Sequence, residues 1–320
     1  MTKDERENLE QAQMAELTKS APLESHLAAD NKVTVGVADE KVDKRTLRIG
    51  WYGIAREDLP YGGILYPSDW KFEIRAASGK EIAYFSTINT EDPLSVLDGI
   101  NQVIRSCVKI ISNNGPVSPT NIYEIDRMWF LLKIRDFTMP ERENALIIKE
   151  KCPFKCSDEE NQIELTCDNL VYKPLSEFAL KYVDRERGGF TVKTKIGDIH
   201  FTPSTIEQSE IYKEWFMAQP EYQRDARFAA RFHMYINPNF KAGKNPTDLI
   251  QDAYNNFYAI SMETKKFAIY MKIEREIAPA IDDQIKYICP VCGKEVHTML
   301  RFPGGLQDIF LINDIDSEFL

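Results

Sequence analysis

The chain has 320 residues, of which 43% are hydrophobic and 11% aromatic, and it carries a formal net charge of −10 with a pI near 5.1. The length predicts one large body with an insertion or two modules that share a core, and the composition predicts a folded protein. The acidic balance without a long Lys/Arg block argues against nucleic acid as the principal partner. A charged N-terminus and the lack of about 18 consecutive apolar residues predict a soluble, intracellular protein with no membrane partner.

The first half of the chain predicts an arm followed by a mainly helical module. Residues 1–45 are polar and poor in aromatics, which predicts a flexible N-terminal arm. Residues 46–143 begin with strand-like segments on either side of a turn-rich loop and continue with helices. One predicted helix carries apolar residues at three- and four-residue steps: Leu97, Ile100, Ile104, Cys107, Val108 and Ile111. We therefore interpret Cys107 as a core thiol, and we expect Asn121 to cap the next helix.

The second half predicts a β module that is interrupted by helices. Alternating segments in 144–202 and 285–320 are typical of strands, and GGFTVKTKIGDIHFTP predicts a hairpin. Helical spacing fills residues 203–284 between them. The predicted fold class is thus α+β, with a helical first module and a zinc-ribbon-like β module interrupted by a helical insertion.

Two cysteine pairs predict a metal site. In CPVCG, Cys289 and Cys292 lie at the tip of a predicted hairpin, Pro290 stiffens the turn, and Gly293 permits a left-handed conformation. A closed structural site needs four ligands, and Cys152 with Cys156 in KCPFKCS is the best second pair.

Other assignments of these cysteines remain open at this stage. Cys167 and His297 are the competing ligands, and the pairs either close within one chain or complete half-sites between two subunits. A redox role for CPVCG is disfavoured because its flanks are strand-like, whereas a redox CxxC begins a helix. The expected cofactor is structural Zn²⁺, without a catalytic role because four thiolates leave no open position for water.

No catalytic constellation stands out. The four histidines, His26, His200, His233 and His297, are scattered and lie outside metalloprotease or nucleophile-elbow motifs. The carboxylate clusters lie in polar stretches typical of solvated loops. We therefore expect no enzyme activity.

Several segments, taken in order, resemble the baseplate hub and tail assembly proteins of T4-like bacteriophages. They are LPYGGILYP, an EIR strand, GKEIAYFS, DRMWFLLKIRDFT, a strand with a cysteine pair, and CPVCG leading to LRFPGGLQDIF. The resemblance spans roughly residues 46–175 and 285–311, and Cys152, Cys156, Cys289 and Cys292 match the cysteines of the family's ribbon.

The resemblance implies a structural or assembly protein of the tail baseplate that acts by protein–protein contacts in the host cytoplasm. The mature virion tail is the alternative location. The partners that the resemblance implies are other tail or baseplate proteins, and a homo-oligomer is left open. The alternative function is a nucleic-acid-associated zinc-ribbon accessory protein, which would present a basic, aromatic-rich surface.

Overall fold

A computed structural model describes residues 50–89, 91–139, 146–194, 197–217, 264–277, 281–300, 302 and 309–310. The chain divides into two units, Met1–Asp43 and Lys44–Leu320, and all described residues belong to the second. The predicted arm at 1–45 and the middle of the predicted insertion, 218–263, lie outside the described residues. The boundaries predicted for the four segments stay predictions.

Helices and antiparallel strands share one main core, so the predicted α+β class is confirmed. Four strands form a sheet in which each pairs with its sequence neighbour: Tyr52–Ile54 (β1), Lys71–Ile74 (β2), Val108–Ser112 (β3) and Gly115–Val117 (β4). Three helices belong to the same region: Gly79–Ser86 (α1), Pro93–Cys107 (α2) and Arg127–Thr138 (α3). Helix α2 packs against both α1 and α3.

The structure corrects two details of the predicted helical module. Helix α2 ends at Cys107, and Val108 and Ile111, predicted on its face, lie in strand β3. The β-branched run VKIIS alternates between buried and exposed positions, which suits a half-buried strand better than a continued helix. Asn121 ends a short 3-10 turn that Ser118 caps, so Asn121 does not cap α3. Cys107 is fully buried in the core, as expected.

Strands of the second half bring distant parts of the chain together. Ile147–Lys151 (β5) and Glu160–Glu164 (β6) form one hairpin, and Ile281–Ile288 (β10) and Glu295–Met299 (β11) form another. Strand Leu170–Tyr172 (β7) pairs with β10, with Leu170 opposite Ile285. We call β5, β6, β10, β11 and their loops the cysteine module.

The remaining elements pack around this frame. Phe190–Thr194 (β8) and Gly197–Phe201 (β9) form the predicted hairpin, and three helices complete the described chain: Glu177–Leu180 (α4), Ile206–Met217 (α5) and Thr264–Ile277 (α6). Near the C-terminus, the Arg135 Nε atom donates to the Ile309 carbonyl at 2.8 Å. No helix among the described residues is long and apolar enough to span a membrane.

A buried carboxyl precedes α3. Asp126 is 1% exposed, and its Oδ2 atom accepts a hydrogen bond from the Tyr66 hydroxyl at 2.7 Å. That hydroxyl in turn accepts from the backbone N–H of Tyr123 at 3.2 Å. Burial raises the pKa of Asp126 to about 7, although the hydrogen bond from Tyr66 opposes this rise. Ionisation of Asp126 therefore destabilises the folded chain.

Candidate metal centre

Each hairpin of the cysteine module contributes two thiols from its loop. Cys152 and Cys156 lie between β5 and β6, and Cys289 and Cys292 lie between β10 and β11. The four Sγ atoms all lie within 4.8 Å of one another in a single chain. The structure thus brings together the four cysteines predicted as ligands, without a second subunit.

The sulfur separations suit a tetrahedral metal ion. Cys152 Sγ lies 3.9 Å from Cys292 Sγ, and Cys156 Sγ lies 3.6 Å from Cys289 Sγ. Disulfide sulfurs would be about 2.05 Å apart. Four thiolates around one zinc ion, with zinc–sulfur bonds of about 2.3 Å in tetrahedral geometry, place their sulfurs about 3.8 Å apart. These two separations lie on either side of this value, so the donor set is compatible with a tetrahedral metal ion such as zinc.

The two loops turn in related but unequal ways. Gly293 adopts the predicted left-handed conformation with φ of 68°, and its N–H donates to the Cys289 carbonyl at 2.9 Å. In the first loop, the N–H of Lys155 donates to the Cys152 carbonyl at 3.0 Å. Lys155 has φ of 52°, a conformation that costs a residue with a Cβ atom about 1 to 2 kcal/mol. The first loop is thus the more strained one, because lysine rather than glycine occupies its position of positive φ.

The electrostatics of the cluster favour a cation. The backbone N–H groups of Cys292 and Val291 donate to the Cys289 sulfur and, with the neighbouring thiols, lower the pKa of Cys289 to about 6. The sulfur of Cys152, more than any other group, raises the pKa of Cys156 to about 12. Several thiolates this close repel one another, and a bound cation removes that repulsion.

The cysteine module has only a small core at its tip. Ile163, Tyr287 and Val296 form a buried cluster with Cys152 and Cys289, separate from the main core. At the other end of the hairpins, Ile148 and Ile285 belong to the main core. The tip therefore has few apolar contacts of its own, which is typical of regions that depend on a metal.

The competing ligands lie outside the cluster. Cys167 begins a 3-10 turn and is buried in the main core, where burial more than any other effect raises its thiol pKa. The His297 side chain is 44% exposed, and its Nε2 atom lies 2.9 Å from Glu295 Oε1. Among the residues that the structure describes, neither of them joins the four-sulfur group.

One contributor to the site, Asn161, was not predicted. Its side chain is buried on β6, and its Nδ2 atom donates to the Cys289 sulfur at 3.6 Å. The sequence does contain a signal, because Asn161 alternates in phase with the buried residues Ile163 and Leu165. A polar residue on the buried face of a strand beside a cysteine pair indicates a hydrogen-bonding role.

Comparison of the chain with protein-family models, with curated proteins and with solved structures finds no match.

Proposed function

We propose that the four cysteines bind one structural zinc ion and that the cysteine module is a zinc ribbon whose two hairpins come from distant parts of the chain. The observation that carries this proposal is the near-tetrahedral spacing of the four sulfurs. With all four positions filled by thiolates, the ion has no site for water or substrate. Its role is then to fix the loops at the tip of the module.

Elemental analysis of purified protein tests the zinc site. We expect one zinc per chain in the wild type and none in the double variant Cys289→Ser/Cys292→Ser. Cys167→Ala is the matched control, because it removes a buried thiol outside the cluster and should retain the metal. Iron in place of zinc, or no metal after purification under reducing conditions, would overturn the proposal.

We further propose that the protein assembles or forms part of a bacteriophage tail baseplate by protein–protein contacts. The sequence resemblance motivates this function, and the surface of the module supports a contact role. Phe154 and Val291, one from each cysteine loop, are 50% and 58% exposed, and neighbouring Ile288 is 61% exposed. Lys294 extends its Nζ atom over the Phe154 ring at 4.6 Å, so the two loops present one shared surface. Exposed apolar side chains grouped together are typical of contact sites.

Phage assembly tests this second part. In electron micrographs, a phage that lacks the gene should show heads but no tails with baseplates. The wild-type gene should restore these tails. Phe154→Ser/Val291→Ser should bind zinc normally but fail to restore tails. Tyr84→Ser, which alters an exposed ring on α1, should restore them. Normal tails without the gene would refute the baseplate role, and salt-dependent binding to nucleic acid would favour the accessory-protein alternative.

A further inference from the structure

The tip of the cysteine module contains a buried amide that meets a metal-ligand sulfur from the other hairpin. Asn161 is 6% exposed and Cys289 is 1% exposed. Asn161 belongs to the β5–β6 hairpin and Cys289 follows β10, so the 3.6 Å contact joins residues that are 128 positions apart in sequence.

Charge explains why an amide suits this position. Four thiolates around a divalent zinc ion give a centre with a net charge of about −2, and burying such a charge is costly unless donors surround it. The Cys289 sulfur receives the backbone N–H groups of Cys292 and Val291 from its own loop. The Asn161 amide adds a donor from the opposite hairpin.

We propose that Asn161 is a positioning residue for the metal centre: its amide N–H fixes the Cys289 sulfur and withdraws charge from it, which tightens metal binding. This inference rests on the proposed zinc site. Hydrogen bonds to metal ligands commonly change metal affinity about 10- to 100-fold. Because Asn161 approaches from β6, its amide also links the two loops in the folded tip.

Replacement of Asn161 by Leu tests the proposal, since leucine is similar in size and apolar but cannot donate. We expect Asn161→Leu to retain one metal per chain and to bind zinc about 10- to 100-fold more weakly in competition with a chromophoric chelator. In the cobalt-substituted protein, the thiolate-to-metal charge-transfer band should move to longer wavelength, because the sulfur without this hydrogen bond is more electron-rich. The matched control is Gln162→Leu, which removes an exposed amide on the opposite face of β6.

Each result decides the role of Asn161. Weaker binding together with the band shift supports a donor that acts on the sulfur. Weaker binding with an unchanged band would overturn the proposal, because Asn161 would then act only on the fold of the tip. Behaviour identical to Gln162→Leu would also overturn it. If wild-type protein binds neither zinc nor cobalt, the zinc site itself is wrong, which distinguishes the two failures.

Discussion

Removal of the proposed zinc ion should unfold the tip of the cysteine module and leave the main body folded. The tip consists of residues 149–163 and 286–298, and ordering these roughly 28 residues at 1 kcal/mol each costs about 28 kcal/mol. About nine backbone hydrogen bonds in the ladders and turns of the tip return roughly 9 kcal/mol. Ile163, Tyr287 and Val296 return about 5 to 9 kcal/mol by burial.

Ordering the tip without metal is therefore unfavourable by about 10 to 14 kcal/mol, and structural zinc supplies about 10 to 16 kcal/mol in small domains. The metal alone closes this difference. Beyond the tip, Ile148 and Ile285 lie in the main core, and Ile285 pairs with Leu170. We therefore expect unfolding to stop at these positions.

Hydrogen exchange followed by mass spectrometry measures this outcome. After chelation, amides in 149–163 and 286–298 should exchange at nearly unprotected rates, whereas those in α3 and β8 should keep their protection. Cys289→Ser/Cys292→Ser should behave like the chelated wild type, and Cys167→Ala should remain protected throughout. A tip that stays protected without metal would refute this free-energy balance, and so would simultaneous loss of protection in α3.

Three further predictions concern the fold and the cysteine loops. Because the pKa of Asp126 is raised from 3.8 to about 7, its proton stabilises the fold at low pH, and this stabilisation is lost as pH rises towards 7. Between pH 5 and pH 8, the free energy of unfolding in urea should fall by about 2 to 3 kcal/mol more for the wild type than for Asp126→Asn. Equal pH dependence of the two proteins would refute the raised pKa of Asp126. Gly99→Ala should destabilise the protein by about 1 to 3 kcal/mol, since the new Cβ atom would meet Ile88 Cδ1 at 1.9 Å. Ile88→Val, which removes Cδ1, should restore part of this loss in urea unfolding, and no restoration would contradict the prediction. Both Lys155 and Gly293 have positive φ, which favours glycine, so Lys155→Gly should strengthen zinc binding and Gly293→Ala should weaken it, each by about 1 kcal/mol. Zinc titrations in which both variants change the binding free energy in the same direction would contradict this.

The sequence predicts the cysteine cluster well because the information is local. A pair of thiols across a tight turn between two strands is recognisable from a few residues, and the structure places both pairs at hairpin tips. The hydrophobic spacing of α2 likewise predicts its buried face. The end of α2 was predicted wrongly because a short apolar run such as Val108–Ile111 fits both helical and strand periodicity. Its antiparallel pairing with β2 and β4 decides between them.

The role of Asn161 could not be predicted in the same way. Its position on a buried strand face is local information, but its partner lies 128 residues away. Hydrogen bonds between such distant residues depend on tertiary structure, which periodicity does not encode. The buried carboxyl of Asp126 poses the same difficulty, since its partner Tyr66 is 60 positions away.

The pairing of β7 with β10 changes what the metal has to do. On the sequence alone, a site that joins residues 152 and 292 would bear the whole entropic cost of closing a loop of 140 residues. In the fold, Leu170 of β7 lies opposite Ile285 of β10, and this pairing already ties the second hairpin to the chain that follows the first. The main core therefore closes the loop, and the metal has only the two loops left to order. This division of roles is why loss of the metal should release the tip while the connection between the hairpins survives.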